Sequence, residues 1–514
     1  MPEKVFFRLS LPGRVLWYGI TVFLSSALLL VLEIVAGRLI APYVGVSLYT
    51  WTAIIGVILA GLSLGNWFGG VWADAGADEK AAGITLAVGG LSCLAILVLL
   101  MLVAPVIQES RLSLLSASFI YVLVLFFLPA VLLGVVTPLL TTLALRLDPR
   151  SGHVVGRMHA LAALGSIAGT FMTGYWLVQT FGTKNIIVGA SLGMFFLAAP
   201  FLRGATKLAV VLVMGALLLA SATYVRQGFI NPCDRESNYF CIRVVDQPEA
   251  APFGEARALV LDHLIHGINH ETEPDLLLAP YVQLMAELAL QQRGPEGTQP
   301  LRYFFVGGGA YTLPRGFKAL DPGAEITVAE LDPLVTETAK RYLFLDPRGM
   351  KIIHADARVV LQRFKPGRFD VIVGDAFYDV SLPYHLVTRE YAGLVKSRLA
   401  PKGLYLLNVS DVYPNPELVK SIWKTLAGEF RYVSVWLDRL PRAPVRQTFV
   451  LAASDAAPFP DRIESQHGIR RSWYRIDEPL AATGTPLPAL PVLTDDYVPV
   501  ERLIAPLLVG EYGL

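Results

Sequence analysis

The chain reads Tyr303-Phe304-Phe305-Val306-Gly307-Gly308-Gly309 where a short apolar run meets three glycines. Aromatic and β-branched residues that end in glycine are typical of a buried strand followed by a tight turn. At such a turn the missing side chains let the backbone approach a ligand at the start of the next helix. The stretch therefore predicts a strand of an open α/β sheet, with a ligand-binding turn at Gly307, Gly308 and Gly309.

Three further strand-like runs follow at intervals that suit strand–helix–strand units, and each of them ends in an acid. The first of these runs ends in Glu330 and Asp332, the second in Asp356 and the third in Asp375. Ligands of open α/β sheets bind at the carboxyl ends of the strands, so the set predicts one adenosine-sized crevice. Glu330 is placed to accept hydrogen bonds from ribose hydroxyls, and Asp356 from an adenine amino group. Any one acid taken alone fits a solvated helix cap equally well.

The N-terminal half is too apolar for a purely soluble enzyme. The 514 residues are 54% hydrophobic and 17% charged, and a formal net charge of +1 gives no indication of nucleic-acid binding. Apolar runs of about twenty residues can each cross a bilayer. They lie at about 15–36, 51–73, 82–104, 115–145, 158–180, 186–202 and 208–224. Seven spans are predicted, and the overlong fourth run, which contains Pro129, leaves an eighth crossing open.

Glycines repeat every four residues in two of these runs, which places small residues on one helix face. They are Gly61, Gly65 and Gly69 in the second run, and Gly165 and Gly169 in the fifth. Such faces let two helix backbones approach closely. We therefore expect these helices to pack directly against neighbours in the bundle.

Three domains follow from these patterns. Residues 1–224 form a transmembrane helical domain, 225–300 a small β-rich segment with a linker helix, and 301–514 the catalytic domain. The predicted fold class is a multi-pass α-helical membrane domain followed by an α/β Rossmann-like domain of the class I methyltransferase type, with a small β piece before it.

The order of these motifs resembles the spermidine synthases and the membrane-fused members of their superfamily. The shared features are the strand with three glycines, the Glu330-Leu331-Asp332 and Asp356-Ala357 strand ends, the run Phe369–Asp375, and Leu399-Ala400-Pro401-Lys402-Gly403. The resemblance covers roughly residues 235–450. In the apolar half, the stretch Gly156–Leu161 is also similar to the fused proteins.

The resemblance implies roles for individual residues. It makes the three glycines the cosubstrate turn, Glu330 the ribose ligand, Asp356 and Ala357 the adenine-side pair, and Asp375 the base toward an attacking amine. Further binding positions that it implies are Asp262, His266 in place of a glutamine, Tyr281, and Asp379 as the second acid of the loop. Apart from the resemblance, the aromatic side chains of Phe377, Tyr378 and Tyr384 each fit either against a cation or in the core.

Two departures from the family pattern concern the polyamine side of the site. Ala310 stands where soluble members have an acid that would hold the ammonium of the aminopropyl group. The segment around Tyr281 lacks the family's glutamate. The polyamine pocket is therefore altered, whereas the nucleoside pocket is kept.

These features together predict a membrane-anchored aminopropyltransferase of the polyamine type. It would transfer a group from decarboxylated S-adenosylmethionine, or a related sulfonium, to an amine or polyamine. No metal is predicted, because His263, His266, His270 and His354 lack a ligand spacing. The alternatives are a methyltransferase that uses intact S-adenosylmethionine, and a polyamine transporter or sensor whose domain binds without catalysing. The acceptor and a homo-oligomeric state remain open.

The side of the membrane on which the catalytic domain lies has conflicting indications. Nine Lys and Arg residues fall on the N-terminal side of the predicted spans and three on the other. The positive-inside rule then puts the N-terminus in the cytoplasm and, after seven spans, the domain outside. Cys233 and Cys241 could pair in an oxidising compartment, which agrees with this. Adenosyl sulfoniums are made in the cytosol, however, and on that ground we prefer a cytosolic domain on a prokaryotic inner membrane.

A polar segment near the C-terminus, Thr494-Asp495-Asp496-Tyr497, has two readings. It caps a helix or it closes the active site.

Overall fold

The structure is a computed structural model, and it describes residues 11–110, 112–148, 150–293, 299–377 and 381–509. The chain divides into two compact units, Met1–Cys241 and Ile242–Leu514. The first unit is helical, and the second is built around a large β-sheet.

The first unit contains long helices joined by short turns. Its helices are α1 Leu11–Val44, α2 Leu48–Asp74, α3 Glu79–Glu109, α4 Leu114–Leu145, α5 Ser151–Met172, α6 Val178–Phe181, α7 Thr183–Ala198 and α8 Thr206–Val225. A π-helical turn, Thr173–Leu177, joins α5 to α6 without a break. A short strand, β1 at Arg235–Glu236, follows α8.

Six helical stretches are long and apolar enough to cross a membrane by length and composition, counted over the described residues. The sixth apolar run expected from the sequence corresponds to α7, which has 16 residues and is shorter than these six stretches. The fourth run is one continuous helix of 32 residues with Pro129 and Pro138 inside it. The additional crossing that Pro129 left open is therefore not formed.

The glycine faces pack as the sequence predicts. A Cβ atom on Gly65 would lie 2.1 Å from the carbonyl oxygen of Val131, and one on Gly165 would lie 2.0 Å from that of Phe23. Both distances are far below van der Waals contact, so only glycine fits at either position. Helix α2 therefore lies directly on the backbone of α4, and α5 on that of α1.

Two apolar clusters fill opposite ends of the bundle. One contains the last part of α1 and the second half of α3, and the other contains the first part of α1 and the start of α3. Helix α7 contributes Ile186 and Ala190 to the former cluster and Leu197 to the latter. Although α7 is short, it runs from one end of the bundle to the other.

The segment after α8 is tied to the end of the bundle where α1 finishes. Arg38, near the end of α1, donates hydrogen bonds to the carbonyl oxygens of Ser237 and Tyr239. At the start of α7, Lys184 Nζ donates to the carbonyl of Ile230 across 2.6 Å, and the Thr183 amide donates to the Glu236 carboxylate. A disulfide joins Cys233 to Cys241 in the same segment.

The second unit opens with a small antiparallel meander that precedes the main sheet. Its strands are β2 Cys241–Asp246, β3 Ala256–Leu261 and β4 Leu264–His270. These strands lie within the β-rich segment expected at residues 225–300, but no clear strand pattern marks β4. Leu264–His270 alternates only weakly between apolar and polar residues, and Gly267 interrupts it, which hides the strand.

The main sheet has nine strands. They are β5 Arg302–Val306, β6 Glu325–Ala329, β7 Met350–Ile353, β8 Phe369–Gly374, β9 Leu399–Tyr413, β10 Tyr432–Leu437, β11 Val445–Ser454, β12 Arg462–Glu464 and β13 Ser472–Arg475. Their spatial order is β12-β13-β10-β11-β9-β8-β5-β6-β7. Strands β5 to β9 are parallel, as predicted, and β11 enters antiparallel between β9 and β10.

Helices connect these strands. They are α9 Pro280–Leu290, α10 Thr312–Leu320, α11 Pro333–Tyr342, α12 Ala357–Gln362, α13 Arg389–Arg398, α14 Glu417–Ala427, α15 Asp477–Ala482, α16 Val500–Leu503 and α17 Ala505–Val509. Helices α10 to α13 each follow one of the parallel strands β5 to β8, so the carboxyl ends of those four strands meet at one edge of the sheet. This strand order is that of a methyltransferase-like Rossmann fold.

Candidate active site

The glycine turn and Glu330 form one hydrogen-bonded unit. After β5, the amides of Gly308 and Gly309 donate to Glu330 Oε2 across 2.7 and 3.2 Å, and the Asp332 amide donates to Oε1 across 2.9 Å. Burial raises the pKa of the Glu330 carboxyl, and these amide hydrogen bonds oppose that rise. The acid that ends β6 is thus held against the turn that ends β5, as a shared nucleoside site requires.

At Gly307 and Gly308 of the turn, a larger side chain would clash with its surroundings. Gly307 has a φ of +91°, and a Cβ there would lie 2.8 Å from the carbonyl oxygen of Asp375. A Cβ on Gly308 would lie 2.6 Å from the ring of Tyr311. The turn therefore brings the end of β5 close to the end of β8.

Asp332 lies in a different setting from Glu330. Its Oδ1 accepts from the Leu334 amide across 2.9 Å, so it caps α11. The structure gives this predicted cosubstrate residue the role of a helix cap. Its effect on the site runs through the direction in which α11 starts.

Asp356 follows β7 and has two partners. Oδ1 accepts from the Val359 amide across 3.0 Å, which caps α12, and Oδ2 lies 2.7 Å from Nε2 of His385. Ala357 is the buried first residue of α12. The carboxyl predicted to meet adenine is therefore oriented by a histidine that the sequence patterns did not single out.

Asp375 follows β8 and lies beside the glycine turn. Asn408 Nδ2, on β9, donates to Asp375 Oδ1 across 2.9 Å. Desolvation raises the pKa of Asp375 to about 6, and the hydrogen bond from Asn408 works against that rise. A carboxyl with this pKa is ionised at neutral pH, yet it accepts a proton more readily than an ordinary aspartate, which suits a general base.

Of the site residues predicted in the small meander and α9, the structure places two in one cavity and a third outside the lining of that cavity. His266 and Tyr281 line one small cavity together with Gly307, Gly308 and Asp375. Burial and the nearby charge of Asp375 raise the pKa of the Tyr281 hydroxyl well above its usual range. Asp262 lies in the turn between β3 and β4 with a φ of 53°, and its carbonyl accepts from Arg243 across 2.8 Å. It is not among the residues that line this cavity.

Tyr281 also lines a second cavity of about 230 Å³. Two buried tryptophans, a carboxylate and a guanidinium contribute to its wall. Its polar and aromatic lining includes Tyr281, Trp436, Asp438, Arg446, Gln447 and Trp473. The size and the aromatic walls of this cavity fit a small organic molecule.

The C-terminal segment Thr494–Tyr497 is held beside Asp356, the carboxyl that is predicted to meet adenine. Asp495 forms a paired contact with Arg358 at 2.6 and 2.7 Å and accepts from the Thr388 hydroxyl across 2.7 Å. These bonds lower the pKa of Asp495 to about 2. Arg358 also donates to the carbonyl of His385 across 3.0 Å. The segment therefore braces the residue that orients Asp356.

Two predicted residues, Tyr378 and Asp379, lie outside the described part of the chain. Phe377 is described, and its ring lies 6.5 Å from that of His266. Within the described ranges, no group of three or more His, Cys, Asp or Glu side chains is arranged to hold a metal ion.

The C-terminal region is similar to known proteins. Residues 284–461 match the model of the spermine/spermidine synthase domain. The chain is 28% identical over 239 residues to the polyamine aminopropyltransferase of Vibrio vulnificus, which covers 44% of this chain and 75% of that one. It is 25% identical over 214 residues to a probable polyamine aminopropyl transferase of Bifidobacterium longum, covering 38% of this chain and about half, 48%, of that one. The crystal structure of a probable spermidine synthase from Corynebacterium glutamicum aligns with a TM-score of 0.42 and 22% identity, over 50% of this chain and 97% of that one.

The sheet order and the crevice define a Rossmann-like domain of the methyltransferase type. The C-terminal region carries a spermine/spermidine synthase domain, and the protein is a transferase of that type.

Proposed function

We propose that the protein is a membrane-anchored aminopropyltransferase that moves a group from a sulfonium nucleoside to an amine or polyamine. The observation that carries this proposal is that Asp375 lines one cavity with the glycine turn, and that Tyr281 lines both this cavity and the second one. The nucleoside would occupy the crevice at Gly307–Gly309, Glu330 and Asp356. The acceptor would enter past Trp436 and Trp473.

The chemistry requires positioning and one proton acceptor. The amine nitrogen forms a bond to the carbon beside the sulfonium sulfur, and the carbon–sulfur bond breaks with its electron pair going to sulfur. The thioether nucleoside then leaves, and the amine proton passes to Asp375. Asp262, Asp379 and Tyr378 remain proposed acceptor contacts.

The test combines binding with product analysis on the purified full chain. Methylthioadenosine should bind, and incubation of the protein with a sulfonium donor and putrescine or spermidine should give a new polyamine. Asp375→Asn should retain nucleoside binding and lose at least 99% of turnover, on the order of a general-base contribution. Asp461→Asn, at an exposed carboxylate beside β12, is the matched control and should turn over normally. Normal turnover by Asp375→Asn would remove the proposed base.

A second candidate, methyl transfer from intact S-adenosylmethionine, is favoured by one observation. Ala310, only 1% exposed, occupies the position at which soluble family members have the ammonium-binding acid. Mass analysis of the amine product separates the two reactions, because a methyl group and an aminopropyl chain add different masses. Nucleoside binding without any product would instead support the sensor alternative.

We further propose that the first unit is embedded in a lipid bilayer, with the synthase domain on the face opposite the N-terminus. The helices α1 to α8 make an odd number of passes, since α5 and α6 are continuous and α7 runs between the two apolar clusters. The end that faces the N-terminus carries most of the bundle's cations, which include Arg14, Lys80, Arg146, Arg203 and Lys207. The other end carries the Cys233–Cys241 disulfide, which an oxidising compartment maintains.

This placement differs from the cytosolic one expected from the nucleoside pocket, and it requires the sulfonium donor, which is made in the cytosol, to reach that face. It is tested by labelling intact cells with a membrane-impermeant maleimide. A cysteine at exposed Glu249, as Glu249→Cys, should react without lysis, whereas Ser151→Cys at the start of α5 should react only after lysis. The reverse pattern would restore the cytosolic domain.

A further inference from the structure

Strand β9 carries two polar side chains, each of which holds one charged group. Asn408 Nδ2 donates to Asp375 Oδ1 across 2.9 Å, and Ser410 Oγ accepts from Arg446 Nε across 2.9 Å. Residues two apart on a strand point to the same face of the sheet and lie about 7 Å from each other. The Asp375 carboxylate and the Arg446 guanidinium are therefore held at neighbouring positions on one face of β9.

The cavity of about 230 Å³ has one charged side chain of each sign in its wall. Arg446 is the positive one, and Asp438, which directly follows β10, is the negative one. Arg446 is the second residue of β11, the strand that pairs antiparallel with β10. A diamine carries two ammonium groups, so it is attracted by Asp438 and repelled by Arg446. A ligand with an ammonium and a carboxylate matches both charges.

The same wall contains a buried donor that lacks an acceptor. Trp473 is 1% exposed, and its Nε1 has no hydrogen-bond partner among the described residues. Trp436, the other buried tryptophan of the wall, donates its Nε1 to Ser434 Oγ across 2.7 Å. A buried N–H without an acceptor costs free energy, and an oxygen of a bound ligand would relieve that cost. An indole N–H only donates, so it favours a carboxylate oxygen over an ammonium.

We infer that the acceptor is an α-amino acid that carries a second amine at the end of its side chain. The side-chain amine lies at Asp375, and the α-carboxylate is bound by Arg446 and Trp473. The α-ammonium lies at Asp438. With three methylene groups, the chain from the side-chain amine to the α-carboxylate spans about 6 Å, which is close to the spacing of the two anchoring residues on β9. This inference rests on the proposed transferase function and names the class of its acceptor.

The reaction then joins the transferred group to the side-chain nitrogen of an amino acid. That nitrogen forms a bond to the carbon beside the sulfonium sulfur, the carbon–sulfur bond breaks with its electron pair going to sulfur, and the amine proton passes to Asp375. Tyr281, which lines both cavities, lies beside the carbon chain of the acceptor. The α-amine is held at Asp438 and does not react, so the product keeps both its carboxylate and its α-amine.

Ornithine and putrescine are a matched pair of acceptors, because putrescine is ornithine without the α-carboxylate. The full chain is incubated with each amine and with S-adenosylmethionine or its decarboxylated form, and the products are analysed by mass. We expect kcat/KM to be at least about tenfold higher for ornithine, as one charge-assisted hydrogen bond provides. Equal or faster turnover of putrescine would overturn the inference and leave the proposed transferase intact. No product from either amine would overturn both.

Variants of the cavity wall give a second readout. Arg446→Gln should lower kcat/KM for ornithine about tenfold more than that for putrescine. Trp473→Phe, which removes the Nε1 donor and keeps an aromatic ring, should act in the same direction by a smaller factor. Asp438→Asn should slow both amines, because each of them carries a second ammonium.

The control is Arg442→Gln, at an exposed guanidinium in the turn between β10 and β11, which should turn over both amines normally. Binding of methylthioadenosine, measured by calorimetry, reports that each variant is folded. An unchanged ratio of kcat/KM between the two amines in both Arg446→Gln and Trp473→Phe would overturn the inference.

Discussion

Asp375 directly follows β8, Asn408 lies on the neighbouring parallel strand β9, and one hydrogen bond of 2.9 Å joins Asn408 Nδ2 to Asp375 Oδ1. The amide stabilises the ionised carboxylate, while desolvation destabilises it. The balance leaves Asp375 with a pKa of about 6, between that of an ordinary aspartate and neutrality. Burial therefore dominates the protonation of this carboxyl, and Asn408, which does not itself take up the proton, partly offsets it.

The pH dependence of turnover should follow Asp375. Its pKa is raised in the folded protein, so the carboxyl is protonated below about pH 6 and cannot accept the amine proton there. We expect kcat/KM to fall tenfold for each pH unit below that value and to level off above it, until the acceptor amine itself titrates. A pH–rate profile between 4.5 and 8 measures this. A profile with no inflection near 6 would contradict the role of Asp375.

Removing the amide donor should move that inflection. Asn408→Leu leaves Asp375 desolvated and without its hydrogen bond, so the pKa of the carboxyl should rise and the acidic limb of the profile should shift to higher pH. Turnover at pH 8 should change much less than turnover at pH 6. An equal loss of rate at both values would indicate damage to the fold and not a change in ionisation.

Glu330→Gln should weaken nucleoside binding and lower stability together. The Glu330 carboxylate accepts from three backbone amides, two of them in the glycine turn, and a glutamine offers one acceptor and turns a donor toward amides that also donate. We expect the free energy of unfolding of the domain to fall by about 1.5–3 kcal/mol. Affinity for methylthioadenosine should fall at least about tenfold. Glu325→Gln, at an exposed carboxylate that begins β6, is the control and should do neither.

The helix contacts predict opposite results for two glycines of α2. Gly65→Ala would place a methyl group 2.1 Å from the Val131 carbonyl oxygen and should cost about 1–3 kcal/mol. Gly70→Ala meets nothing within 4 Å and should be neutral or slightly stabilising, because alanine favours the helix. Thermal unfolding in detergent compares the pair. Equal melting temperatures would contradict the backbone contact between α2 and α4.

The disulfide should stabilise the segment that follows the bundle. Cys233→Ser should lower stability by about 2 kcal/mol, because the unfolded chain then loses a short closed loop. Addition of dithiothreitol to the parent protein should have the same effect and should have none on Cys233→Ser. A reductant that leaves the parent unchanged would show that the bond is not formed in the membrane-bound protein.

The sequence located the strand ends of the crevice well, for a physical reason. In a parallel sheet the carboxyl ends of successive strands meet, so Gly307, Glu330, Asp356 and Asp375 can be collected from local patterns alone. Asn408, His385 and Arg446 could not be predicted in this way. Their partners lie 29 to 180 residues away in sequence, and Arg446 lies on a strand that is inserted out of order. Strand β11, which carries Arg446, enters antiparallel between β9 and β10, and no local periodicity encodes that insertion.

The helix seams also bear on what the bundle can conduct. A solute or ion needs a continuous polar path. At the seam of α2 with α4, a Cβ atom on Gly65 would lie 2.1 Å from a carbonyl oxygen, and at the seam of α1 with α5, one on Gly165 would lie 2.0 Å from another. Water has no room along either seam at those depths. The two contacts are therefore dry, and no polar path runs along either seam at these positions.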